Sequence, residues 1–181
     1  MQIQTKQNEI VLRAPNVADG PKVWKLVKDS QTLDLNSVYC YLVLFKHFPD
    51  TCVVAEQEKN LIGFVTAYIP PASPNVLFIW QIGIQPIMKE KGLGKSLITH
   101  LLKRPVCQNI SFIETTITPN NVASKALFHA LPRTLKTACM ESSGFPEDLF
   151  PEGNHPAEYL YRIGPFDPNT IEHEVLIYEN H

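Results

Sequence analysis

The chain has 181 residues, 44% of them hydrophobic and 19% charged, which is enough apolar material to close a globular core. Its formal net charge is −2, so no global field draws it to nucleic acid or to an anionic membrane, and local lysines must do any anion work. There is no run of about 20 apolar residues and no apolar signal core in MQIQTKQNEI, so neither a membrane span nor a leader is expected. The cysteines Cys40, Cys52, Cys107 and Cys139 lack C-x-x-C pairing and a His at ligand spacing. They read as buried reduced thiols, with no metal site and a cytoplasmic location expected.

EIVLRAP (9–15) reads as a first strand ended by proline. Asp19 before Pro21 predicts an N-cap, and PKVWKLVKDS a helix with Val23, Trp24 and Val27 inward. SVYCYLVLFKHF (37–48) is a second, richly apolar helix. TCVVAEQ (51–57) and LIGFVTAYI (61–69) form a hairpin about the turn Glu58-Lys59-Asn60. VLFIWQIGI (76–84) is almost continuously apolar, which predicts a strand covered on both faces. A helix over 92–104 stops at Pro105, and SFIETTIT (111–118) alternates as a strand does. Pro119-Asn120-Asn121 opens a helix over 121–131 that ends before Pro132. TLKTACMES and EYLYRIG are two more strands, with the loop GFPEDLFPEGNHP between them. The tail 165–181 has no strong pattern beyond a candidate edge strand in EVLIYE. The order β-α-α-β-β-β-α-β-α-β-β predicts an α+β (α/β/α) fold, a mostly antiparallel mixed sheet with helices on both faces.

The stretch KEKGLGKS (89–96) lies between the strand 76–84 and the helix 92–104. It ends as a phosphate loop of nucleotide triphosphatases does, but Lys89 stands where that motif needs its first Gly. A dinucleotide G-x-G-x-x-G fails too, because its third Gly is Leu97. What remains is the physics that both motifs share. Gly92 and Gly94 let backbone N–H groups approach an anion at a helix N-terminus, and Lys89, Lys91 and Lys95 add charge.

Element order and motifs together resemble the GCN5-related N-acetyltransferase (GNAT) superfamily. Its [QR]-x-x-G-x-[GA] signature reads here as Lys89-Glu90-Lys91-Gly92-Leu93-Gly94, with Lys in place of Gln or Arg. Its N-x-x-[AS]-x-x-L-[YF] signature reads as Asn121, Ser124, Leu127 and Phe128 in register. The resemblance implies one domain over 1–181, with a core of about 9–166 and the tail 167–181 unassigned. It implies acetyl-CoA as co-substrate. The loop from Lys89 to Ser96 would hold the pyrophosphate, Ile82 and Ile84 would offer backbone to the pantetheine arm, and Asn121, Ser124 and Phe128 would complete the cofactor side. Two departures stand out. No carboxylate lies between Val76 and Gln85 to serve as the strand-borne base, and Phe128 occupies the place of a proton-donating Tyr.

DLNSVYCYLVLFKHFPDTCVVAE, FIWQIGIQP, FIETTITPNNVASKALF and HPAEYLYRIGPF resemble the L-2,4-diaminobutyrate N4-acetyltransferases of ectoine biosynthesis, from about Val11 to Phe166. The implied reaction is acetyl transfer to the 4-amino group of that diamino acid, by direct attack in a ternary complex. A diamino acid needs anionic groups for its ammonium, and one of them must leave the reacting amine deprotonable. Glu114, in mid-strand opposite the Ile113, Thr115 and Ile117 face, is expected as amine ligand and base; the alternative is a structural salt bridge. By chemistry alone Asp34 is a turn or cap residue and Trp80 a core residue. The resemblance makes Asp34 an ammonium ligand and Trp80 a wall of the reacting pocket. One of Tyr39 and Tyr41 would reach substrate and the other the core. His155 is either a plain loop residue or a substrate contact and proton relay, and Glu158 either a substrate ligand or a solvent-facing carboxylate. Family analogy adds a homodimer. Other amines as acceptors, and a CoA-binding sensor without catalysis, are the rival readings.

Overall fold

The computed structural model describes residues 9–30, 32–89, 91–151 and 155–171. Its strands are β1 (Ile10–Arg13), β2 (Val53–Gln57), β3 (Asn60–Tyr68), β4 (Val76–Ile84), β5 (Phe112–Ile117), β6 (Cys139–Phe145) and β7 (Glu158–Ile163). Its α-helices are α1 (Gly20–Ser30), α2 (Val38–His47), α3 (Leu93–Leu102) and α4 (Val122–Leu135). The strands form one sheet in the order β1-β2-β3-β4-β5-β7-β6. Every neighbouring pair is antiparallel except β4 and β5, which the crossover through α3 makes parallel. The expected strand EVLIYE lies outside the described residues. No helix among the described residues is long and apolar enough to cross a membrane.

Helices cover both faces of the sheet. On one, α1 and α2 bury Val23, Val27, Tyr41 and Phe45 against Val54 and Phe64. On the other, Leu93, Leu97, Ile98 and Leu101 of α3 and Phe128 and Leu131 of α4 pack on Val65, Leu77, Ile79 and Ile113. Alternation along each strand sorts side chains between these two cores. Trp24 only fringes the first core, half-buried.

Four local expectations change. The strand expected in TLKTACMES starts only at Cys139 and runs to Phe145, into the expected loop. The helix α4 runs through Pro132 to Leu135. Proline removes one bond near the last turn, and burial of Leu131 and Leu135 outweighs that loss. Only Cys52 and Cys107 are buried; Cys40 and Cys139 are half-exposed, and all four are free. Finally, Asp19 is not an N-cap. Asn16 caps the short 3-10 turn Val17–Asp19, and Asp19 closes its capping box.

The Asp19 carboxylate, 2% exposed, takes Arg13 Nη1 at 2.7 Å and Nη2 at 3.0 Å, with the Asn16 N–H at 2.9 Å. Arg13 also reaches Glu56 of β2 at 2.7 Å, so the group pins α1's start to the sheet edge. Burial works to raise the Asp19 pKa, but Arg13 and the Asn16 N–H hold it below the ordinary carboxylate value. Asp19→Asn is therefore expected to lower stability by about 2 kcal/mol at neutral pH, read by urea unfolding. A depressed folded-state pKa contributes stability that is present above the unfolded-state pKa. It is lost as pH falls through the folded-state pKa, so the difference between variant and wild type should close there.

Candidate active site

The β4–β5 ladder comprises Val76–Phe112, Leu77–Ile113 and Phe78–Glu114 and goes no further among the described residues. It stops where β4 bulges. Thr66 of β3 pairs Gln81 while Ala67 pairs Ile79, leaving Trp80 as the extra residue. The Thr115 hydroxyl donates to the Ile79 carbonyl at 2.9 Å, the last tie before the strands part. The bulge also resets the faces of β4. Ile79 and Ile82 both meet the α3 core, whereas Gln81 bonds Tyr41 of α2 and Trp80 stands 6.4 Å from the Tyr41 ring. A cleft thus opens between β4 and β5, with an α2 side and an α3 side.

Three groups meet on the α2 side. Asp34 comes from the loop after α1, Glu158 begins β7, and His155 lies in the turn before it. His155 Nε2 is 3.4 Å from Asp34 Oδ2 and 3.6 Å from Glu158 Oε1. Its Nδ1 is 2.8 Å from the Pro156 carbonyl, which can only accept, so Nδ1 carries a proton. With Nε2 facing two carboxylates, the doubly protonated imidazolium fits the site. Burial disfavours that cation, but the Pro156 carbonyl, Asp34 and Glu158 together raise the His155 pKa above its ordinary value. The Phe150 ring stacks on the imidazole at 4.1 Å and 21°. Burial pushes the Glu158 carboxyl up, against opposing hydrogen bonding from Thr116 and the charge of His155. Glu158 Oε2 is buried and has no partner among the described residues. The ligand atoms of the three residues lie within 4.8 Å of one another. Two carboxylates against one imidazolium leave the set with an excess negative charge, which suits an ammonium.

On the α3 side, the loop ends in a helix start shaped by glycine. Gly92 adopts φ +77°, and among the described residues, its two chain neighbours aside, no atom stands within 4 Å of where its Cβ would be. Gly94 is in close packing, its missing Cβ 3.2 Å from Ile84 and Leu127 side-chain atoms. The N-terminus of α3, where Gly92 provides no side-chain cap, and the exposed Lys89 and Lys91 suit a polyanion.

An acetyltransferase (GNAT) family pattern matches residues 21–131. The chain belongs to the GNAT family. It is similar to the L-2,4-diaminobutyric acid acetyltransferase of Halalkalibacterium halodurans, 46% identical over 165 residues, 91% of this chain and 87% of the other. The enzyme of the same name from Marinococcus halophilus is 47% identical over 159 residues, 88% and 92% of the two chains. The structure of diaminobutyrate acetyltransferase EctA from Paenibacillus lautus, in complex with L-2,4-diaminobutyric acid and coenzyme A, matches with a TM-score of 0.85 at 39% identity. That match covers 88% of this chain and 96% of that one. Ard1 from Thermoplasma volcanium, at 15% identity and TM-score 0.70, shares the fold.

Within this GNAT fold several expected site residues make structural contacts. Glu114 faces Arg162 across the β5–β7 ladder and forms an ion pair with it, while the Arg162 guanidinium lies 4.0 Å over the Phe112 ring. The salt bridge of the second reading is thus present, with the Glu114 charge matched by Arg162, and Glu114 is not one of the Asp34–His155–Glu158 group. Tyr41 is the core tyrosine at 0% exposure, with burial foremost in pushing its hydroxyl up to about 12, whereas Tyr39 is 73% exposed. Ser96 turns its hydroxyl back to the Gly92 carbonyl at 3.2 Å. Asn121 Oδ1 accepts from the Ser124 N–H at 3.1 Å and caps α4. The Leu93 and Phe128 side chains are buried in the α3 core, and Ile82 and Ile84 pack against it. Lys95 is half-buried in the first turn of α3. Arg162, Gln81 and Thr116 were not foreseen, since each matters through a partner distant in sequence, nor was Phe150, because it lies in a loop without periodic pattern.

Proposed function

We propose that this GNAT acetyltransferase moves acetyl from acetyl-CoA to the 4-amino group of L-2,4-diaminobutyrate, giving N4-acetyl-L-2,4-diaminobutyrate and CoA. The carrying observation is Glu158, a half-buried carboxylate whose buried Oε2 has no partner among the described residues, grouped with Asp34 and His155 beside the cleft. The names of the two relatives and the substrate in the Paenibacillus complex support the choice of acceptor.

Acetyl-CoA stands on the α3 side, its pyrophosphate at the Gly92–Gly94 helix start with Lys89, Lys91 and Lys95 adding charge, and its pantetheine along Ile82 and Ile84. The diamino acid enters on the α2 side beside Trp80, with Tyr39 at the mouth. Its ammonium donates to Asp34 and Glu158. Glu158 accepts one proton, and the neutral amine attacks the thioester carbonyl. The C–N bond forms and the C–S bond breaks. The second amine proton leaves with the collapse of the tetrahedral intermediate, and the CoA thiolate takes up one proton. Asp34 and the His155 imidazolium stabilise the charges around this transfer. Burial raises the pKa of every cysteine, to about 11 for Cys52 and Cys107, which favours direct transfer over an acetyl-cysteine route. The product suits cyclisation to ectoine. A cytoplasmic location fits the use of acetyl-CoA. A homodimer fits β6, the last strand of the sheet among the described residues, with Met140 and Phe145 62% and 51% exposed.

The deciding experiment is thiol release from acetyl-CoA with and without L-2,4-diaminobutyrate, with NMR of the product. Amino-acid-dependent release and acetyl on N4 are expected. Release with 1,3-diaminopropane but not with diaminobutyrate would reject this acceptor, because only the latter has an α-carboxylate.

A further inference from the structure

Asp34 is the least sheltered of the three clustered groups, its side chain 81% exposed on a loop without regular structure. Its main chain, however, is held. Gln81 Nε2 donates to the Asp34 carbonyl at 2.9 Å, and the Tyr41 hydroxyl donates to Gln81 Oε1 at 2.7 Å. A carbonyl only accepts, so the amide nitrogen must face Asp34 and its oxygen the hydroxyl. Gln81 is 9% exposed and Tyr41 0%, and a buried amide is tolerated when both its ends are matched, as they are here. The strand end is tied as well, since the Thr66 hydroxyl donates to the Gln81 carbonyl at 3.2 Å. Gln81 directly follows the bulged Trp80 and precedes Ile82, which packs toward α3. A chain of bonds thus runs from the α2 core, through the strand that borders the cleft, to the loop of the amine cluster.

We propose that Gln81 is a positioning residue for the amino-acid acceptor, fixing the Asp34 loop against β4 and so setting where the ammonium stands relative to the thioester. The inference rests on the acetyl-transfer reading above. In Gln81→Met, which keeps the length but neither bond, KM for diaminobutyrate is expected to rise about tenfold, with kcat within about threefold and acetyl-CoA affinity within about twofold. A second readout needs no amine. The imidazole of His155 faces the Asp34 and Glu158 carboxylates and the Phe150 ring. Releasing Asp34 removes one of those charges, so NMR should show His155 titrating at lower pH in the variant than in wild type.

Tyr41→Phe keeps Gln81 but removes the donor that orients its amide. It should move both readings the same way by less, and it carries the test if Gln81→Met does not fold. An unchanged KM, or equal losses toward both substrates with an unchanged His155 titration, would make Gln81 an ordinary core residue and overturn the proposal. Failure of wild type to acetylate diaminobutyrate would instead sink the acceptor reading, and the His155 titration would still decide whether Gln81 holds Asp34.

Discussion

Glu158→Gln is expected to lower kcat/KM for diaminobutyrate about a thousandfold, or about 4 kcal/mol of transition-state stabilisation, while acetyl-CoA affinity stays within about twofold. Glutamine keeps the size and one acceptor oxygen but cannot take the ammonium's proton. The pH profile should change with it. Burial holds the Glu158 carboxyl above its ordinary pKa, so wild-type activity should fall as pH drops through that raised value. The acid limb set by this carboxyl should be missing from the residual activity of the variant. His155 behaves with the opposite charge. Its raised folded-state pKa contributes stability that is fully present below the unfolded-state pKa and is lost as pH rises through the folded one. Without the Glu158 charge that pKa should fall. Glu114→Gln is the contrast, because it breaks the pair with Arg162 rather than the amine cluster. Its kcat should stay within about threefold, which is under about 1 kcal/mol of barrier. Comparable losses in the two variants, or more than a tenth of wild-type kcat/KM in Glu158→Gln, would remove Glu158 as the base.

Gly92→Val should weaken CoA binding about a hundredfold, or about 2.8 kcal/mol. Gly92 holds φ +77°, a backbone region that a β-branched residue strongly disfavours. Among the described residues no packing partner stands within 4 Å of its missing Cβ, so core packing does not require the glycine. The open space lies at the start of α3, where a pyrophosphate would approach the first N–H groups. The new side chain would fill that space, and the backbone would turn away to relieve the strain. Gly94 is a less clean test, because a Cβ there presses on Ile84 and Leu127 at 3.2 Å and would disturb packing as well. Titration of CoA by calorimetry, with a thermal melt alongside, separates the two effects. Unchanged affinity in Gly92→Val would move the cofactor away from this loop.

Much of this architecture is local, and so was readable from residue order. Period-two runs marked the strands and period-3.6 runs the helices, because each element must turn one side to a core. The Gly92–Gly94 helix start was readable because backbone conformation at a glycine is a property of a few adjacent residues. The motif from Asn121 to Phe128 was readable as a pattern, but its duties were not. Asn121 caps α4 and Phe128 fills the core, contacts that the motif by itself does not give.

Asp34, His155 and Glu158 were each named from resemblance, yet their meeting depends on a loop after α1 and a turn before β7, 121 residues apart at the Asp34–His155 contact. Strand order decided the rest. Glu114 found Arg162, 48 residues away, because β7 inserts between β5 and β6, and no local signal in SFIETTIT encodes that neighbour. The bulge at Trp80 is likewise a matter of register between two strands. It turned Gln81 toward Tyr41, while the two-residue step along α2 put Tyr41 in the core and Tyr39 on the exposed side. Propensity and periodicity are written along the chain, whereas the partner of a buried charge or amide is chosen by packing across it.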